Sequence, residues 1–176
     1  MSRIDMDRYR AFTDQPASST EHPIVVIGAG LAGATAARLL ADHGFDVVVL
    51  DKGRRVGGRC SRRRLDEVVI THGSARLDNW PTWMTAWSEL EEAEQRIHID
   101  NDGHRLLDGP ETVAAWLEGL DVLTSTTVTR LEQDGDVWSV YDDEGHVWQA
   151  SGVVVTAPLP QLHRMMADAP EAWAHH

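Results

Sequence analysis

The sequence predicts an α/β domain: a parallel sheet entered through a βαβ unit, with an antiparallel meander later in the same domain. Three observations predict it. A β-branched run, Ile24-Val25-Val26-Ile27, is closed by Gly28 and followed by an Ala- and Leu-rich stretch and a second apolar run ending at Leu50. Two further short runs, Asp121 to Leu123 and Gly152 to Thr156, read as strands of the same parallel sheet, the second with the apolar character of a strand covered on both faces. Between them, from Thr127 to Ala150, apolar and polar residues alternate, the pattern of strands with one face in water.

Met1 to His22 mixes charged residues, Ser, Thr and a Pro without periodicity, and is expected to be a flexible arm. Pro23 to Ile27 is the first strand. Leu31 to His43 is a helix, ended by Gly44 where a left-handed cap is wanted. Asp46 to Leu50 is the second strand, so that strand, glycine turn, helix and strand make a right-handed βαβ crossover. Beyond Asp51, seven of the 16 basic residues fall within 13 positions, Lys52 to Arg64, among Gly53, Gly57 and Gly58. This basic island reads as a loop. Val68 to Ile70 is a short strand, and Trp80, Trp83 and Trp87 share one face of a helical segment reaching about Arg96. Asp108-Gly109-Pro110 introduces a helix over Glu111 to Glu118, with Asp121 to Leu123 as a third parallel strand behind it. Val128 to Gln133, Val137 to Tyr141 and Val147 to Ala150 form the meander, with turns at Asp134-Gly135-Asp136 and Asp142 to His146. Ala157-Pro158-Leu159-Pro160 breaks the last strand before a helical tail from about Gln161.

A chain of 176 residues, 42% hydrophobic and 25% charged, has room for one core. The expected organisation is an arm over residues 1–22 and a single domain over 23–176. A net charge of −12 repels phosphate backbones and anionic lipid, so neither nucleic acid nor a membrane surface is an expected partner. The single cysteine, Cys60, allows no internal disulfide, and the nine histidines lack metal-ligand spacing, so no metal is expected. No signal-peptide pattern opens the chain, and no apolar run nears the about 20 residues that span a bilayer, which points to a cytoplasmic protein.

The chemistry lies in the first turn. Gly28-Ala29-Gly30-Leu31-Ala32-Gly33 is a G-x-G-x-x-G between a strand and a helix, the context of a Rossmann-like dinucleotide-binding loop. Gly28 takes the tight turn, Gly30 clears the way for a pyrophosphate, and Gly33 lets helix and strand approach. The helix start then offers N–H groups and a positive dipole end to the anion. Asp51 ends the second strand 18 residues after Gly33, where a carboxylate can accept both hydroxyls of an adenosine ribose. That charge disfavours a 2′-phosphate, hence NADP, although Lys52 and Arg54 soften the argument. Gly57-Gly58 can present successive N–H groups as a second anion nest, with the Arg59 fork beside it, favouring FAD over NAD.

Val25 to Gly33 together with Val48 to Arg59 resembles the FAD-binding region of renalase-like members of the flavin amine oxidase superfamily. The resemblance implies FAD as cofactor, held by Gly28, Ala29, Gly30, Leu31, Ala32, Gly33, Asp51, Lys52, Gly57, Gly58 and Arg59. Thr71-His72-Gly73 is similar to the family's Asp-His-Gly segment, which implies His72 and Gly73 near the flavin, with Thr71 in place of the acidic residue. Ser125 to Leu131 resembles the strand whose valine backbone, here Val128, contacts adenine. Val153 to Pro158 resembles the strand and turn that bring Thr156, Ala157 and Pro158 close to the cofactor.

Members of that family carry a large substrate domain, and here residues 74–107 stand as its vestige. The resemblance implies flavin-mediated hydride transfer from a small reduced substrate, a dihydronicotinamide or an amine. Three arrangements remain open: a compact flavoprotein completing its ring pocket as a homodimer or with the Trp80, Trp83 and Trp87 face; one part of a split enzyme with a partner chain; or a dinucleotide binder without turnover. No acid/base pair or nucleophile independent of flavin is evident. Cys60, beside Arg59, is expected to have a lowered thiol pKa.

Overall fold

The computed structural model describes residues 21–71, 76–77, 97–99, 105–107 and 109–166. Strand β1 (Ile24–Ile27) leads through the glycine turn to helix α1 (Leu31–Asp42) and strand β2 (Val47–Leu50). α1 stops one residue before the predicted end, at His43, and Gly44 follows at φ +83°, the left-handed conformation the sequence called for. Strands β8 (Asp121–Leu123) and β12 (Gly152–Val155) complete a four-stranded sheet in the order β12-β1-β2-β8. Every pairing in it is parallel, with Val25 opposite both Val48 and Val153.

The two-residue period of a strand explains why β1 and β2 are apolar throughout. Val26 and Val49 point to one face, where they pack with Ala34 and Ala37 of α1 and with Val113 and Trp116 of helix α2 (Gly109–Trp116). Val25, Ile27 and Leu50 point to the other, against Val128, Leu131, Val140 and Ala150. Those four residues belong to the meander of β9 (Val128–Asp134), β10 (Val137–Asp142) and β11 (Val147–Ala150), paired antiparallel. The architecture is therefore helices, parallel sheet and meander in three layers, with a core on each side of the sheet. Arg38 ties the helical layer together: its Nε donates to the Trp116 carbonyl at 2.8 Å, at the end of α2, and its Nη2 to that of Glu118, just beyond it, at 2.5 Å.

Three expectations change. The basic island is not all loop: β3 (Arg62–Leu65) pairs antiparallel with β4 (Val68–Thr71), a strand hidden from the sequence because the arginine run carries no apolar alternation. Residues 74–107 contain β5 (Arg76–Leu77), β6 (Ile97–Ile99) and β7 (Arg105–Leu107), a three-stranded antiparallel sheet that was not foreseen. Leu159 and Pro160 belong to helix α3 (Leu159–Met165), since proline is tolerated in a first turn. The arm over residues 1–20, Trp80, Trp83 and Trp87 lie outside the described residues.

Candidate functional site: a glycine loop at the turning point of the sheet

β8 lies on one side of the β1–β2 pair and β12 on the other, so the strand order reverses between β1 and β12. Open α/β sheets bind ligands in the crevice beyond the carboxyl ends of the strands at such a reversal. Gly28 to Gly33 occupies that place. Gly28 has φ +108°, and a Cβ there would lie 2.5 Å from Thr156 Oγ1. A Cβ on Gly33 would lie 1.7 Å from the Gly28 carbonyl oxygen, so helix and turn touch through the third glycine. Gly30 is different. Its nearest neighbour would be Gly58 Cα at 3.8 Å, so only van der Waals contact constrains it. Gly30 is also the N-cap of α1 and supplies no side-chain cap, which leaves the dipole end of the helix to an outside anion.

Asp51 is half-buried at the end of β2. Its Oδ2 accepts the Ala29 N–H at 2.5 Å and its Oδ1 the Gly53 N–H at 2.6 Å. A carboxylate has about four acceptor positions, so each oxygen retains one for a ribose hydroxyl. Gly53 is a contributor that the sequence did not single out: a Cβ there would lie 2.8 Å from Asp51 Oδ1. The adjoining wall is set by backbone pairing, with Ser125 N–H on the Gly53 carbonyl at 2.8 Å and Thr126 N–H on that of Asp51 at 2.9 Å. The segment leading into Val128 thus runs alongside Asp51. Val128 itself turns its side chain into the meander core, leaving only backbone for a ligand.

The second glycine pair is laced to the first loop. Gly57 N–H donates to the Ala29 carbonyl at 2.8 Å, and Gly30 and Gly57 form a parallel bridge. The Gly57 N–H is therefore engaged within the fold, a correction to the expectation of an open nest at that residue. Both glycines have positive φ, +113° and +51°, and a Cβ on Gly58 would press on Gly30 Cα at 3.1 Å. Lys52 and Arg59 are exposed beside the loop, and Ala32 is exposed on the first turn of α1. Leu31 packs against the helical core, and Ala157 and Pro158 link β12 to α3. His72 and Gly73 lie outside the described residues. Cys60 reverses its expectation: burial pushes its thiol up, and the opposing charge of Arg59 does not offset this.

A helix start backed by two close-packed glycines and opened by a third, with a carboxylate one strand away, defines a dinucleotide-binding domain. Comparison with known proteins agrees. The model of the NAD(P)-binding Rossmann-like domain matches residues 26–92, and that of the flavin containing amine oxidoreductases matches residues 108–176. Pseudooxynicotine dehydrogenase of a Pseudomonas species is 31% identical over 131 residues, 73% of this chain and 24% of that protein. The zeta-carotene-forming phytoene desaturase of Myxococcus xanthus is 50% identical over 50 residues, 28% of this chain and 10% of that one. Among solved structures, a protein provisionally described as a protoporphyrinogen oxidase from Exiguobacterium superposes with a TM-score of 0.69 at 12% identity, over 87% of this chain and 63% of that chain. The chain belongs to the flavin amine oxidase superfamily, and its dinucleotide is FAD. The matched stretches cover between a tenth and a quarter of the length of the two curated relatives named. Among the described residues, no helix is long and apolar enough to cross a membrane.

Proposed function

We propose that this chain is the FAD-binding part of an oxidoreductase of renalase-like type, one that removes hydride from a small reduced substrate, a dihydronicotinamide or an amine. The observation that carries the reading is the Asp51 carboxylate, fixed by Ala29 and Gly53 beside the open N-terminus of α1. In it, the diphosphate of FAD lies against Gly30 and the first turn of α1, and Asp51 holds the adenosine ribose. Lys52 and Arg59 add positive charge, and the backbone near Val128 borders the adenine. The flavin supplies the redox chemistry when bound, and this chain's residues bind it and orient it. The names of the relatives, a dehydrogenase and a desaturase, support oxidation as the reaction class. We propose further that a homodimer or a partner chain completes the pocket around the flavin ring.

An absorbance spectrum of the purified protein, taken with its mass in solution, tests cofactor and assembly together. Visible flavin bands at one per chain are expected, followed by bleaching on anaerobic mixing with NADH, NADPH or a simple amine. A colourless protein that does not take up added FAD overturns the reading. Bound flavin that no donor bleaches turns it into a binding protein.

A further inference from the structure

The fold places one side chain in the glycine loop from the far end of the chain. Thr156 follows β12 directly, and its Oγ1 donates to the Ile27 carbonyl at 3.0 Å, with the Gly28 carbonyl at 3.5 Å, at the limit of hydrogen-bond range. Its backbone N–H donates to the same Ile27 oxygen at 3.0 Å. The hydroxyl sits where a side chain on either of two glycines would stand: 2.5 Å from a Cβ on Gly28 and 3.1 Å from one on Gly33. The first and third glycines therefore do more than permit a turn and a close helix. Together they leave a niche, and the hydroxyl of Thr156 fills it across the reversal point of the sheet.

We propose that Thr156 is a positioning residue for the nucleotide: seated in the niche left by Gly28 and Gly33, its hydroxyl fixes the turn that aims the start of α1 at the diphosphate. It acts through the loop and not by touching the flavin. The idea rests on the FAD-binding reading for its effect on affinity, but its effect on the loop is independent of any ligand. A hydroxyl is required for the bond to Ile27, while the Thr methyl is not. Serine should therefore substitute and valine, equal in shape, should not.

The test uses the full chain with Thr156→Val and Thr156→Ser. Affinities for ADP and for FAD are measured by calorimetry, and amide exchange of Gly28 to Gly33 is followed without ligand. Thr156→Val is expected to weaken ADP and FAD by the same factor, about 3- to 10-fold for one lost hydrogen bond, with faster exchange in the loop. Thr156→Ser is expected to keep both affinities and slow exchange. A loss for FAD alone, with ADP unchanged, overturns the proposal in favour of direct contact on the flavin side. Unchanged affinities and unchanged exchange in Thr156→Val overturn it outright. Should the unaltered protein bind neither ADP nor FAD while Thr156→Val still loosens the loop, the binding function fails and the Thr156 lock stands. If Thr156→Val does not fold, Thr156→Ala takes its place, and failure of Ser to behave as Thr overturns the proposal.

Discussion

Two regions of this molecule use the same residue types, glycine and aspartate, to different ends. At the start of α1, Gly28 and Gly33 are demanded by space: a Cβ on Gly33 would collide with backbone at 1.7 Å. In the meander turns, Gly135 and Gly145 have positive φ, but a Cβ at either would meet nothing within 4 Å. The first set is fixed by what packs on it and the second only by its own backbone. The aspartates differ in parallel. Asp51 is held by N–H groups from two separate segments and stays half-buried with acceptor capacity to spare. Asp142 is buried, and its oxygens take the Glu144 N–H at 3.0 Å, the His146 N–H at 2.7 Å and the His146 ring at 2.9 Å. The carboxylate of Asp142 serves to close a turn, whereas Asp51 is placed to receive a ligand.

The sharpest way to break this contrast is a methyl group. Gly33→Ala should cost about 4 kcal/mol or more, because the atom it meets is backbone that cannot swing aside, and flavin should be lost with the fold. Gly135→Ala should cost only about 1 kcal/mol, the expense of a left-handed residue. Denaturant titration of the two variants compares them directly, and similar midpoints would erase the distinction. Next in size, Asp51→Asn should weaken FAD by about 10- to 100-fold through lost charge-assisted bonds to ribose, and should lower the melting temperature modestly, because the amide NH2 would face the N–H of Ala29 or Gly53 that a carboxylate oxygen accepts. Calorimetry with FAD reads the first and a melting curve the second. Arg38→Met should act mainly on stability, lowering it by about 1 to 2 kcal/mol as the carbonyls of Trp116, at the end of α2, and Glu118, just beyond it, lose their Arg38 donors, with FAD affinity unchanged.

The smallest effect is a pH dependence confined to the meander turn. The hydrogen bond to Asp142, and then its charge, hold His146 above the ordinary 6.5. That contribution is complete below the unfolded value and is lost as pH rises through the folded one. For Asp142, burial pushes upward, but the His146 hydrogen bonds and charge, with the Glu144 N–H, prevail and leave its carboxyl below the ordinary 3.8. Its contribution is present above 3.8 and is lost as pH falls through the folded value. The turn is therefore firmest between 3.8 and 6.5. An NMR titration should place His146 above 6.5, and Asp142→Asn should return it toward that value without altering FAD affinity.

Much of this site was legible because its signals are local. Gly28, Gly30 and Gly33 sit on one turn between an apolar strand and an Ala-rich helix, and Asp51 follows at the distance one crossover imposes. Gly44, Pro110 and the meander turns were legible for the same reason. β3 was not, since Arg62 to Leu65 becomes a strand only by pairing with β4. The short sheet of β5, β6 and β7 likewise depends on partners up to about 30 residues apart.

The order of residues alone fixed the βαβ unit, the dinucleotide loop, the aspartate at the end of β2 and the three-stranded meander, because hydrophobic period and turn chemistry act over a few neighbours. Only the tertiary structure decided what those pieces touch. It brought Thr156 to Gly28 and Gly33, directed Gly57 N–H to Ala29 and placed Arg38 over the end of α2. It also set the thiol of Cys60 by burial when its neighbour's charge alone argued the other way. Such contacts join residues far apart in the chain, and the physical quantities that govern them, distance and exclusion of water, do not exist until the layers have packed.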